Sequence, residues 1–220
     1  PPHFPGQLRL NVPDATAAPG HFLTACAPFR SDRRGLEPVA AAKAACDKFA
    51  DRLVKVTGCR TVVDVGCGVG FLVEALLERR IDAWCLDQSS SVVAATLPSV
   101  TGRVMHGVLG QREFSQLSLT KRLFDVAVCS AVLERMSDSL LLEAFQQLAT
   151  LAQRVVVMTP RPNLWDRLDP TCCNLRSREA WLKSFQQAGL REDHSESAAI
   201  FGVGYANDPD MTFSVLTRLD

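Results

Sequence analysis

The residues best suited to chemistry lie within positions 62–70, where a hydrophobic run leads into a glycine-rich turn. Because Gly66, Gly68 and Gly70 lack a Cβ atom, the backbone can turn sharply there and approach a ligand closely. Asp87 ends a second apolar run, where a carboxylate can accept hydrogen bonds from ribose hydroxyls. This spacing predicts a nucleotide site at the carboxyl ends of two strands.

The glycine-rich turn departs from two common nucleotide-binding motifs. A nicotinamide-binding turn of the form G-x-G-x-x-G would need glycine at position 71, which is Phe71. An NTP-binding loop would need a G-K-[ST] sequence, which does not follow the turn. A tight strand–helix connection without a ligand is the structural alternative, and the acidic end of the second run disfavours it.

Strand and helix patterns alternate around these residues. The predicted strands are 61–65, 81–86, 103–106, 124–130 and 154–158, and the predicted helices are 36–57, 71–79, 89–96, 139–151 and 177–188. Two further apolar runs, 198–205 and 211–216, flank a turn-rich segment and predict an antiparallel hairpin. The expected fold is α/β: a doubly wound, mainly parallel seven-stranded sheet with a C-terminal antiparallel hairpin and helices on both faces.

Residues 1–35 differ in composition from the rest, being rich in Pro, Ala, Gly and Arg without a sustained period. We expect them to form an N-terminal arm that acts as a lid over a substrate, and residues 36–220 to form one domain. Because the chain begins with Pro1, we expect a trimmed or processed form, or a domain of a longer protein.

Composition narrows the possible partners and locations. Lys plus Arg and Asp plus Glu each number 24, which disfavours nucleic acid as a partner. The absence of a long apolar run or a signal-peptide pattern predicts no membrane span and a cytoplasmic protein. The 8 cysteines lack zinc-ligand spacing, so we predict no metal site. Composition leaves the oligomeric state open.

From about Leu36 to its end, the chain resembles the class I S-adenosylmethionine (SAM)-dependent methyltransferases, a seven-strand, Rossmann-like family. The turn D-x-G-x-G-x-G, the acidic end of the second strand and the segment 124–134 carry this resemblance. It implies SAM as cofactor and S-adenosylhomocysteine (SAH) as product. The cofactor-binding residues that it implies are Asp64, Gly66, Cys67, Gly68, Gly70, Asp87, Gln88, Val108, Ser130 and Ala131.

Three positions depart from patterns common in this family. The stretch 105–109 lacks the Asp that bonds the adenine amino group in many relatives, so adenine would rely on backbone groups and apolar contacts. Arg135 replaces the His of an L-E-H sequence, and Cys172 replaces the His of a D-P-T-H-x-N sequence. Neither position therefore supplies a general base.

Residues for the methyl acceptor are harder to identify. His21, in the N-terminal arm, is the candidate general base, Arg161 could pair with an acidic acceptor, and Trp165 could stack on a planar one. A solvent-exposed histidine, a solvated arginine and a tryptophan covering the core are the structural alternatives. We expect a small-molecule or short peptide acceptor. The alternative function is a catalytically weak or inactive SAM-binding regulatory or scaffold domain of a larger protein.

Overall fold

The computed structural model describes residues 37–162 and 171–219. The helices are α1 (Glu37–Thr57), α2 (Phe71–Glu78), α3 (Ser90–Ala94), α4 (Asp138–Leu151), α5 (Arg178–Gln187) and α6 (His194–Phe201). The strands are β1 (Thr61–Val65), β2 (Asp82–Asp87), β3 (Val104–His106), β4 (Phe124–Ser130), β5 (Ala152–Pro160), β6 (Leu190–Glu192) and β7 (Met211–Arg218).

All seven strands belong to one sheet, in the order β3-β2-β1-β4-β5-β7-β6. The first five are parallel, whereas β7 runs antiparallel to both β5 and β6. Val65 is paired with both Leu86 and Cys129, so β1, β2 and β4 end side by side. This arrangement confirms the predicted fold class and brings the residues after these strands to one edge of the sheet.

The sheet is covered on both faces because its central strands are apolar on both sides. Along β4, Val126 and Val128 face a core formed with α1, α2 and α6, while Ala127 and Cys129 face a core formed with α4 and α5. The second core includes a packed group of aromatic rings, Phe145, Trp181 and Phe185. Burial on both faces fixes the sheet as a rigid platform for the loops at its edge.

The C-terminal antiparallel pair is present, but its first strand differs from the predicted one. Residues 198–201 belong to α6, and the antiparallel neighbours of β7 are β5 and β6. Asp193 caps α6 by accepting a hydrogen bond from the Glu196 N–H at 2.8 Å. The prediction was wrong because a short apolar run has no clear period, and this cap was not considered.

The proposed lid, residues 1–35, lies outside the described part of the chain. Within residues 37–162 and 171–219, no helix combines the length and the apolar character needed to cross a lipid bilayer.

Candidate functional site

The glycine-rich turn connects β1 to α2 and has a left-handed backbone at Gly66 and Gly68, where φ is 82° and 56°. The Gly66 N–H donates a hydrogen bond to the Leu86 carbonyl at 2.7 Å, which holds the turn against β2. A Cβ on Gly66 would overlap Cγ2 of Val132, whereas a Cβ on Gly68 would meet no described atom within 4 Å. Gly68 therefore faces open space, which a ligand can fill.

Asp87, at the end of β2, is only 8% exposed, and its carboxylate is held by main-chain groups. One oxygen accepts a hydrogen bond from the Gly68 N–H at 3.1 Å, and the other accepts one from the Ser89 N–H at 2.8 Å. A carboxylate has about four acceptor sites, so two bonds orient Asp87 and leave it able to accept more. Asp87 thus joins β2 to the glycine-rich turn and presents an anionic group beside it.

The turn and the strand ends enclose a cavity of about 290 Å³. Most of the predicted cofactor-binding residues line it: Asp64, Gly66, Cys67, Gly68, Asp87, Gln88, Ser130 and Ala131. Gly70 instead precedes the first residue of α2, and Val108 lies between two lining residues, Gly107 and Leu109. The roles assigned to Gly70 and Val108 remain predictions.

Asp64 gives the cavity a second carboxyl group. It is 6% exposed, and burial together with the nearby Asp87 raises its pKa to about 7. A cation bound in the cavity would favour the ionised form of Asp64 and oppose this shift. The electrostatics at this end therefore suit a positively charged ligand.

The end of β4 shows two further signs of a ligand site. The buried hydroxyl of Ser130 has no hydrogen-bond partner within the described residues, although it lines the cavity. Ala131 has φ 56°, a backbone conformation that non-glycine residues rarely adopt, and its N–H donates to the Met158 carbonyl at 2.9 Å. Strained residues and unsatisfied buried groups of this kind occur often at binding sites.

Of the acceptor-side candidates, Arg161 is the one that lies within the described residues. Arg161 follows β5 but does not line the cavity; its guanidinium donates to the Ala206 carbonyl at 3.1 Å and to the Thr212 hydroxyl at 3.4 Å. Burial lowers the pKa of Arg161. His21 and Trp165 lie outside the described residues. The roles of all three in acceptor binding remain predictions.

Several lining residues were not predicted from the sequence. They include Cys46, Phe71, Leu72, Arg135, Met136 and Met158. Arg135 had a usable signal, because it follows the fourth-strand motif directly. Cys46 and Met158 had no local signal, because tertiary packing brings α1 and β5 to the cavity.

Comparisons with known proteins agree with this geometry. The family model described as a methyltransferase domain matches residues 33–195. A TehB-like SAM-dependent methyltransferase from Corynebacterium glutamicum superposes with a TM-score of 0.61 at 14% identity, covering 78% of this chain and 87% of that one. No curated protein sequence matches the chain.

Two further solved structures share the fold. A SAM-dependent methyltransferase from Archaeoglobus fulgidus has a TM-score of 0.58 and 17% identity, covering 80% of this chain and 94% of that one. The N-terminal domain of EvdMO1, solved with SAH bound, has a TM-score of 0.56 and 12% identity, covering 80% and 81%.

The cavity fits the cofactor of this family. SAM is a nucleoside with ribose hydroxyls and a cationic chain. The cavity offers an oriented carboxylate, a second carboxyl group and a hydroxyl that has no partner among the described residues. The described residues contain no group of three or more His, Cys, Asp or Glu side chains that could hold a metal ion. Because the family match spans more than half of its length, the chain belongs to the class I SAM-dependent methyltransferases, with SAM as its cofactor.

Proposed function

We propose that this enzyme transfers the methyl group of SAM to a small-molecule or short peptide acceptor, and that the cavity beside Asp87 holds the cofactor. One observation carries the proposal: the Asp87 carboxylate is bonded to the Gly68 N–H, so a ribose-binding group and a ligand-cradling turn form one rigid unit. Such pre-organisation lowers the entropy cost of binding.

Each part of the cavity suits one part of SAM. Asp87 accepts hydrogen bonds from the ribose hydroxyls, because its carboxylate retains acceptor sites after binding two main-chain N–H groups. The glycine-rich turn and Asp64 surround the methionine part, whose charge the Asp64 carboxylate offsets. We assign the adenine to the side of the cavity lined by Gln88, Gly107 and Leu109.

The end of β4 lies near the methionine part in this proposal. The Ser130 hydroxyl would gain from the ligand the hydrogen bond that it does not form with the described residues. Ala131 is the next residue, and its carbonyl accepts a hydrogen bond from the Arg135 side chain at 3.1 Å. This region therefore forms the boundary between the cofactor and the acceptor.

SAM supplies a methyl group already activated on a sulfonium, so the protein chiefly binds, aligns and excludes water. Within the described residues, no histidine lines the cavity. We therefore retain His21, in the N-terminal arm, as the proposed base for acceptors that must lose a proton. Arg161 and Trp165 remain the proposed acceptor contacts after β5.

A small acceptor suits the charge of the protein. Equal numbers of acidic and basic residues, 24 of each, provide no overall positive field for nucleic acid. This charge balance supports a metabolite or a short peptide over a polyanion.

Methyl transfer can be tested with SAM carrying a radiolabelled methyl group. The protein is incubated with this SAM and with a metabolite extract or a peptide library, and labelled products are separated and counted. We expect label in at least one product, and about tenfold less or lower still with Asp87→Ala at SAM concentrations below the Kd. SAM binding without transfer to any extract would favour a regulatory SAM-binding domain, and failure to bind SAM would reject the proposed site.

A further inference from the structure

A loop, residues 107–111, follows β3 on the side of the cavity that the proposed function assigns to adenine. At its start, the Gly107 N–H donates to the Asp87 carbonyl at 2.9 Å, and His106 Nε2 lies 2.9 Å from the Gln88 carbonyl oxygen. Gly107 and Leu109 both line the cavity. These contacts attach the first part of the loop to the end of β2.

The far part of the loop is attached to α4 by one buried side chain, Gln147. Its Oε1 accepts a hydrogen bond from the Gly110 N–H at 2.8 Å, and its Nε2 donates to the Gln111 carbonyl at 2.9 Å. Nε2 also donates to Glu143 Oε1 at 2.9 Å. Gln147 is 4% exposed, so these bonds offset the cost of burying its amide.

The packing of Gly110 brings the loop close to α4. Gly110 has φ 83°, and a Cβ there would lie 2.7 Å from Cε of Met136 and 3.0 Å from the Leu140 carbonyl oxygen. Gln147 bonds both the N–H group of Gly110 and the carbonyl group of the next residue, Gln111. The position of Leu109, just before Gly110, therefore depends on Gln147.

We propose that Gln147 is a positioning residue for adenine recognition, acting through the loop 107–111. The proposal rests on the proposed function, since it assumes that the cavity binds SAM. The stretch 105–109 has no carboxylate to bond the adenine amino group, so the base depends on backbone groups and apolar contact with Leu109. Such contacts act over short distances, and a small shift of the loop weakens them.

The experiment compares ligands with and without the base. Calorimetry measures the Kd of SAH and of S-ribosylhomocysteine, which keeps the ribose and the amino acid but lacks adenine. We expect Gln147→Met to weaken SAH about tenfold and to leave S-ribosylhomocysteine within about twofold, because the Asp87 and glycine-turn contacts remain. Gln146→Met, the same change at the adjacent exposed residue of α4, should alter neither Kd.

A second variant keeps the proposal testable if Gln147→Met does not fold. Gln147→Ala removes both bonds to the loop without placing a new side chain against it, so it should give a similar loss specific to SAH. Equal weakening of both ligands, or an unchanged Kd for SAH, would overturn the role of Gln147. Failure of the unmodified protein to bind SAH would instead overturn the proposed function.

Discussion

The two ends of the cavity use their charged groups differently. At the β1–β2 end, the Asp87 carboxylate accepts hydrogen bonds from two main-chain N–H groups and keeps further acceptor sites. At the β4–β5 end, the Arg135 guanidinium donates to the Ala131 carbonyl, and beyond the cavity the Arg161 guanidinium donates to the Ala206 carbonyl. The Asp87 carboxylate can thus still bind a ligand, whereas the two arginines bond main-chain carbonyls of the protein itself.

This difference shows why the β1–β2 end, proposed to bind the cofactor, is easier to interpret than the β4–β5 end, proposed to face the acceptor. The glycine-rich turn and Asp87 are complete within two adjacent strands, so their geometry follows from a short stretch of chain. The β4–β5 end combines Cys46 from α1 with Met158 from β5, and Arg135 there donates a hydrogen bond to Thr171. Variants that affect one end and spare the other test this division.

The largest expected effect is the loss of SAM binding when Gly68 is replaced. A matched control distinguishes this loss from the effect of backbone strain. Gly68→Val should abolish measurable SAM binding by calorimetry, because the side chain would enter the space that faces the cavity. Gly58→Val is the matched control, since Gly58 has φ 62° and a Cβ added there would also meet no described atom within 4 Å. Both changes force a side chain into left-handed backbone, at a cost of roughly 1–2 kcal/mol. Similar SAM affinity in the two variants would place the cofactor elsewhere.

Deletion of residues 1–35 should separate the two ends most clearly. We expect SAM affinity to stay within a few-fold, because the turn and Asp87 remain, and transfer to the acceptor to fall by about 100-fold or more. Calorimetry and the radiolabel assay measure the two quantities on the same protein. Transfer at the full rate would show that these residues are not a lid and would assign the acceptor wall to the segment 160–176.

Asp87→Ala should weaken SAM binding at least about tenfold, since a hydrogen bond to a charged group contributes about 1.5–3 kcal/mol. The control is Asp82→Ala, at the other end of the same strand, where the carboxylate bonds Arg122 at 2.5 Å and Trp84 Nε1 at 2.9 Å. We expect this control to keep its SAM affinity and to lose at most about 2 kcal/mol of unfolding free energy, because its two ion pairs, with Arg103 and Arg122, are partly exposed and each contributes up to about 1 kcal/mol. Equal losses of affinity would mean that β2 matters only as a structural strand.

The smallest expected effect is a pH dependence at Asp64, whose pKa is raised to about 7 by burial and by Asp87. Below pH 7 the free protein holds a proton that cationic SAM must displace, so affinity should rise up to about tenfold per pH unit towards pH 7 and then level off. Without ligand, rising pH has the opposite effect on the free energy of unfolding. The stabilisation from Asp64 is fully present below pH 3.8 and is lost as the pH rises through 7. Calorimetry between pH 5 and 8 measures the first trend, and the Asp64→Asn variant should not show it.

The sequence predicts this fold well wherever the pattern is local. Buried strands such as β4 and the capped helix after Ser177 were confirmed, because burial on both faces and a hydroxyl cap leave clear patterns in the sequence. The antiparallel partner of β7 was predicted wrongly, since β6 has three residues and is too short to show alternation. Gln147 was also missed, because nothing adjacent to it marks its bonds to the loop 107–111.

The position of β7 has a consequence for how the protein is made. β7 lies between β5 and β6 and pairs with both, although it follows them in the chain. During synthesis, β5 therefore leaves the ribosome before the strand that covers its edge, and an apolar strand with unpaired N–H and C=O groups can pair with other chains. We expect nascent chains stalled before residue 211 to depend on chaperones, and chains in which β7 has emerged to lose that dependence.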